Sequence, residues 1–346
     1  MRWVCNFFIA SICAALICSV TAQSEQSDSV ADVARFSVAI NLVKVPISVF
    51  DERGLMADNL RKDDFLLWEN QAPQEIRSLD VDAAAISALL VLDTSTSSKS
   101  DLANIKTAAE TFAGKLGKGD RISIITFDEN VNLILDWTSD TKQVKKALSK
   151  VKTGLRTALY DAMYLAANEQ MRGVEGHGAI ILLTDCLNNH SRVGFEEAAR
   201  VISKSQASFY LISKTSFVKE QARQVRRVVI IEDIYKQMFG EEMNYVDEFF
   251  DRREKEMAEL AEQTGGRVFF PTNYNSIKNV YAEIARELKN KYYLTYVSNQ
   301  DLARDSWHRI TVEYLRPASE VMYRKGYYYL PEMPRKLAGP AFAPSR

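Results

Sequence analysis

The stretch LLVLDTSTSSKS, residues 89–100, passes from oily residues into one carboxylate and a cluster of hydroxyls. In extended backbone alternate side chains share a face, so Asp93, Ser95 and Ser97 converge while Thr94 and Thr96 turn away. A carboxylate with two hydroxyls is an all-oxygen set, suited to a hard divalent cation such as Mg²⁺ or Mn²⁺ rather than Zn²⁺. A second aspartate, Asp185, closes another apolar run, AIILLT at 179–184. In open α/β sheets ligands bind beyond the carboxyl ends of the strands, and both aspartates fall there.

These positions require a sheet with helices around it. The run 86–92, apolar but for Ser87, predicts a strand covered on both faces. Ser100 is placed to cap a helix whose apolar face is Ile105, Ala109, Phe112 and Leu116, with Gly117 and Gly119 ending it. Residues 121–127 and 131–137 predict a hairpin about Asp128-Glu129-Asn130. Val144, Ala147, Leu148 and Val151 mark one helical face, and Ala158, Ala162, Leu165 and Ala166 the next. A helix over 195–205, strands over 207–213 and 268–270, and a closing helix carrying Ile277, Val280, Tyr281, Ile284 and Leu288 complete the pattern. Strands alternating with helices predict a doubly wound α/β domain with a mainly parallel, six-stranded sheet. The charge-rich stretch 219–263 reads as a helical insertion, with an apolar knot at 228–231 and a long helix through Phe249, Met257, Leu260 and Ala261. Residues 223–231 read as a solvated helix face in preference to a membrane-surface or calmodulin-like helix.

The flanks alternate as strands do. Residues 36–49 and 65–68 on one side, and 292–297, 309–315 and 321–330 on the other, have too few strands apiece to bury a face. Both flanks are therefore expected to join in one small antiparallel β domain into which the α/β domain is inserted. The expected divisions are 34–83 and 291–331 for the two β parts, and 84–290 for the α/β domain with its insertion at about 217–263. A loose tail is expected over 332–346.

The N-terminus, MRWVCNFFIASICAALICSVTAQS, predicts a secretory signal over 1–22, cut after Ala22. The alternative is an uncleaved N-terminal membrane anchor. Cleavage removes Cys5, Cys13 and Cys18 and leaves Cys186, so no internal disulfide is expected. No later stretch is apolar for long enough to span a bilayer, and the mature chain is expected in the periplasm or outside the cell. With 44 basic against 45 acidic residues the chain lacks the charge of a nucleic-acid binder.

Asp93-x-Ser95-x-Ser97, then Thr157 in GLRTALYDAM, then Asp185 in ILLTDC resemble the three-part metal-ion-dependent adhesion site of von Willebrand factor type A domains. FDENVNLILDWTSD and LAEQTGGRVFFP resemble the second-strand hairpin and last strand of exported bacterial members. VPISVFDERGLMADNLRKDDFLLWENQAPQEI, YYLTYVSNQ and RKGYYYLPE resemble the β segments that flank the domain in that group. The resemblance implies a Rossmann-like domain in which Asp93 holds the metal in part through water and Ser95 and Ser97 bind through their hydroxyls. Thr157 approaches from the next loop, and Asp185 acts mainly through a bridging water. Two carboxylates only neutralise a divalent ion, so it stays attractive to an Asp or Glu of a protein partner. The function implied is non-enzymatic binding. The alternatives are a hydrolase using the same site, with Asp161 the nearest extra carboxylate, and a scaffold whose metal is structural.

One position departs from the family. Glycine usually follows the last aspartate, and Cys186 stands there, open to three readings: a reshaped rim, a redox handle, or a buried small hydrophobe. His190 is close enough in sequence to Asp185 to line the rim. His177, His190 and His308 have no ligand spacing, so a zinc site is not expected. Neither a phosphate loop nor a GxSxG elbow is present.

Overall fold

Continuous apolar runs in the middle of the chain and alternating ones at its ends separate into two kinds of sheet. The computed structural model describes residues 41–81, 84–174, 176–223, 245–300 and 305–329. The expected signal at 1–22, the first residues of the N-terminal β part (34–40), the apolar knot at 228–231 and the tail at 332–346 lie outside them.

The first flank supplies β1 (Leu42–Phe50), β2 (Phe65–Glu69), β3 (Ala72–Gln74) and β4 (Ile76–Val81). Next come β5 (Ile86–Asp93), α1 (Leu102–Ala113), β6 (Arg121–Phe127), β7 (Val131–Thr138), α2 (Thr141–Ser149) and α3 (Leu159–Leu165). They are followed by β8 (His177–Thr184), α4 (Phe195–Lys204), β9 (Ser208–Ser213), α5 (Thr215–Arg223) and α6 (Tyr245–Gln263). The chain then adds β10 (Val268–Phe269), α7 (Tyr274–Asn290) and the last flank, β11 (Tyr292–Val297), β12 (Trp307–Tyr314), β13 (Glu320–Tyr323) and β14 (Gly326–Tyr328).

The central sheet has the order β10-β9-β8-β5-β6-β7, parallel except for β7. Every residue of β5 is buried, as a sequence apolar but for Ser87 and the closing Asp93 suggests. Leu90 and Leu92 face Ile105, Phe112, Tyr281 and Ile284 of α1 and α7, while Leu89 and Val91 face Leu159, Met163, Ile202 and Leu260 of α3, α4 and α6. From β5 the chain winds outward through β6 and β7, then returns to β8 on β5's other side. That reversal makes the carboxyl ends of β5 and β8 a topological switch point, the usual crevice for a ligand. Leu92 stands opposite Leu183 in register, so Asp93 and Asp185 leave the sheet on adjacent strands.

Two local expectations move. Asp101, not Ser100, stands at the N-cap position of α1, without a side-chain capping bond and accepting from Ser100 Oγ (2.5 Å), and the helix ends at Ala113 ahead of Gly117. Leu116 still packs on the core, carried there by the turn after the helix. No helix among the described residues is long and apolar enough to cross a membrane.

Both flanks join as expected, and they do so as two four-stranded antiparallel sheets, β13-β1-β11-β4 and β14-β12-β2-β3. Val45, Ile47, Phe65, Leu67, Leu294, Tyr296 and Ile310 belong to their shared core. Strands β3 and β4 were not expected, because APQ and IRSLDV are short and polar. The run 321–330 breaks at Arg324, which bridges to Thr264 of the α/β part. Inside the β core, fully buried Glu69 accepts from Tyr327 OH (2.8 Å) and Ser298 Oγ (2.5 Å). His308 places Nδ1 2.8 Å from Glu69 Oε1 and Nε2 2.8 Å from Ser306 Oγ. A buried carboxylate is tolerable only with such a set of donors.

Candidate metal centre

The backbone that follows β5 is shorter in its extended reach than the sequence suggests. Ser95 is extended (φ −64°, ψ 175°), but Thr96–Ser98 form a single 3₁₀ turn. A turn, not strand alternation, brings Ser97 back toward Asp93. Oδ1 of Asp93 accepts from the Ser95 backbone N–H (2.9 Å) and Ser95 Oγ (2.6 Å), and the Ser95 and Ser97 hydroxyls are 3.1 Å apart. Thr94 and Thr96 do turn away. Thr94 Oγ1 donates to the Phe127 carbonyl (3.0 Å) and Thr96 Oγ1 to the carbonyls of Gly154 and Leu155 (3.1 Å each). With Gly154 N–H donating to the Thr94 carbonyl (2.9 Å), the two threonines stitch the first loop to the loop that carries Thr157. Gly154 is required there, since a Cβ would come within 2.5 Å of the Asp128 and Glu129 side chains.

Thr157 is buried, and the loop after Asp185 holds it. Its N–H donates to Asn189 Oδ1 (2.9 Å), and its carbonyl accepts from the N–H groups of Asn189 and His190 (3.1 Å each). Helix α3 starts at Ala158, which has no capping side chain, so its exposed N–H groups need acceptors from elsewhere. Asn188 Oδ1 accepts from Leu159 N–H (3.1 Å) and Ser191 Oγ from Tyr160 N–H (2.9 Å). Asp161 Oδ1 in turn accepts from the N–H groups of Arg192 (2.9 Å) and Val193 (3.0 Å), so this carboxylate is engaged in holding the loop. His190 is exposed on that loop, with Nδ1 3.3 Å from Arg156 Nη1. Leu155 stands 80% exposed beside Arg156, its N–H held by Glu129 Oε2 (2.7 Å).

The electrostatics centre on two buried carboxylates. Asp185 Oδ1 accepts from Leu187 N–H (3.1 Å), whereas its Oδ2 is buried with no hydrogen-bond partner among the described residues. Burial, and then the charge of Asp93, push the Asp185 carboxyl above the usual range, with Lys214 and the Ser97 hydroxyl opposing the shift. Asp93 Oδ2 accepts from Thr184 Oγ1 (3.2 Å) and has Lys214 Nζ 3.7 Å away. Lys214 is itself buried and donates to Ser98 Oγ (2.5 Å). Sequence reasoning did not single out Lys214. Its signal was a lysine set directly on the end of the fully buried strand SFYLIS. Glu254 of α6 is a second unforeseen neighbour, accepting from the hydroxyls of Ser213 and Thr215.

Cys186 corrects the rim reading. Its backbone is left-handed (φ 61°), the conformation for which glycine is suited, yet its side chain is fully buried in the core beneath the site. Burial pushes the thiol well up, with the nearby carboxylates adding to the shift, which leaves no basis for a reactive thiolate.

The donors present suit a hard cation. Asp93, Ser95 and Ser97 are linked through oxygens, and an unpartnered buried carboxylate oxygen is what a bound ion resolves. Among the described residues no three His, Cys, Asp or Glu side chains cluster as a metal site, so an ion held here would need hydroxyl oxygens as well as carboxylates.

The sequence profile described as von Willebrand factor type A domain matches residues 88–187, a span that runs from β5 to just past Cys186. No curated protein matches the chain. Among solved structures, the vWF domain of the type V pili tip protein Mfa5 from Porphyromonas gingivalis is 20% identical, covering 33% of this chain and 43% of that one (TM-score 0.30). The match thus takes in less than half of that tip-protein chain. BatB from Bacteroides thetaiotaomicron, a conserved hypothetical protein, is 19% identical over 59% of this chain and 100% of that one (TM-score 0.42). Proximal thread matrix protein 1 of the mussel byssus, solved with a zinc-occupied MIDAS motif, is 16% identical over 64% of this chain and 50% of its own (TM-score 0.46). Residues 88–187 thus match the von Willebrand factor type A profile, and the six-stranded, mostly parallel sheet has the architecture of that fold.

Proposed function

We propose that this chain is a non-enzymatic protein-binding module that grips a carboxylate of its partner through a divalent cation. Asp93, Ser95, Ser97, Thr157 and Asp185 hold the ion, Mg²⁺ or Mn²⁺, which supplies a point of positive charge open to one more anionic oxygen. That oxygen comes from an Asp or Glu of a partner protein, met in the periplasm or outside the cell after removal of the N-terminal signal. The observation that carries the reading is the buried, unpartnered Asp185 Oδ2 beside the linked Asp93, Ser95 and Ser97. Lys214 strengthens it. An ammonium already facing Asp93 leaves the ion-loaded site with surplus positive charge, which favours an anion and not a neutral ligand.

The hydrolytic alternative loses its nearest base, because Asp161 is engaged with the loop at 192–193. The test is a melting curve of wild type and Asp93→Ala with and without Mg²⁺ or Mn²⁺, followed by partner capture with and without EDTA. Wild type gains stability from the metal and the variant does not, and capture is lost in EDTA. Capture that survives EDTA in full overturns the metal-bridged reading.

A further inference from the structure

The far end of the central sheet, beside the first residues of β8 and β9, borders a cavity of about 750 Å³ between the α/β part and the β sheets. Strand β8 separates it from Asp185 by its whole length, on the order of 25 Å at the rise of an extended strand. The cavity is unlike the metal centre in charge. Lys44, Arg172, Lys204 and Arg324 line it, and no carboxylate does among the described residues. Lys204 is partly neutralised by Asp305 (2.6 Å), while Arg172 is exposed at its edge.

Arg324 is the group that demands an explanation. It is only 5% exposed and has no ion pair among the described residues. One Nη donates to the Gln206 carbonyl, and its Nε is buried with no partner. Burial draws its pKa down to about 10, with only Tyr293 opposing. A buried guanidinium in this state is costly unless an anion or water meets it.

Its position is enforced by the surrounding backbone. Arg324 N–H donates to the Pro46 carbonyl (3.3 Å) at the break between β13 and β14. Gly265 packs so closely that a Cβ would lie 2.9 Å from Arg324 N. Gln206, whose carbonyl takes the Arg324 donor, adopts a left-handed φ of 58°, an uncommon state for a residue with a side chain. His177 and Tyr293, stacked with centroids 4.1 Å apart, form an aromatic wall on the same cavity. A volume of this size holds a small molecule, and an arginine fork suits a planar or tetrahedral oxyanion.

We propose that this cavity binds a small ligand through its phosphate or carboxylate group, taken up by Arg324 inside and Arg172 at the mouth. The test uses the mature chain, with inorganic phosphate and citrate as probes, titrated calorimetrically at constant ionic strength against chloride. Saturable binding of either probe is expected. Binding of phosphate alone assigns the group as phosphate, and binding of citrate alone assigns it as carboxylate. Arg324→Gln is expected to weaken binding at least tenfold and Arg172→Gln several-fold, while Asp93→Ala leaves it unchanged. If Arg324→Gln does not fold, Arg172→Gln alone decides. No saturable binding to wild type, or wild-type affinity in the folded arginine variants, overturns the proposal.

Discussion

Nζ of Lys214 lies 3.7 Å from Oδ2 of Asp93, and both side chains are fully buried. A buried ion pair is dear to break but weak as a source of net stability. Here it also sets an ammonium against any cation that approaches the same carboxylate. Lys214→Met is expected to destabilise the metal-free protein by about 3 kcal/mol, because Asp93 is left buried and uncompensated. The same variant should gain more from Mg²⁺ than wild type does. Denaturation in EDTA and in Mg²⁺ measures both, and an equal metal-dependent gain in the two proteins would count against a competing role for Lys214.

Asp185 carries the pH dependence of the metal-free site. Its carboxyl is raised in the folded chain, so its contribution to stability is present in acid and is lost as pH rises through that raised value. Asp185→Asn should therefore flatten the pH dependence of unfolding in EDTA between acid and neutral pH. It should also abolish the gain from Mg²⁺. A variant that keeps the wild-type slope in urea titrations across this range refutes the assignment.

Cys186 should be silent toward thiol reagents in the native state, with or without Mg²⁺, and react only on unfolding. Cys186→Val should cost roughly 2 kcal/mol or more, since a branched side chain opposes the left-handed backbone and overfills the core. Cys186→Gly trades backbone relief against lost burial and should lie much closer to wild type. Maleimide labelling and urea unfolding separate these outcomes, and rapid labelling of the folded protein would contradict the first.

In the β sheets, Glu69 is held by His308, Tyr327 and Ser298 far from Asp93 in the fold. Glu69→Ala leaves three polar partners buried without their acceptor and should destabilise the protein by about 3–5 kcal/mol. The gain in melting temperature from Mg²⁺ should survive. Loss of that gain in a folded Glu69→Ala protein would mean that the two regions are coupled.

What could be read from the sequence follows from how local each signal is. The run 86–92 is apolar on both faces because helices cover both, and that made β5 and Asp93 plain. The order of Asp93, Ser95, Ser97, Thr157 and Asp185 was legible because each follows a recognisable element. The 3₁₀ turn at Thr96–Ser98 was hidden, since serines and threonines suit strand ends and turns alike. Strands β3 and β4 are short and polar, and only pairing with β2 and β11 makes them strands. Lys214 and Arg324 were invisible as anchors, and so was the part of Asp161 in holding the loop at 192–193, because each meets partners brought near only by the folded chain.

Leu155 stands in solvent while its backbone is clamped from both sides, its carbonyl by Thr96 and its N–H by Glu129. An apolar side chain on so fixed a stalk gives up little freedom when a partner covers it, and little reorganisation slows its contact. Partners that differ in a contact over Leu155 should then associate at similar speeds and part at different ones, and selectivity beside the candidate metal centre should be written in residence time.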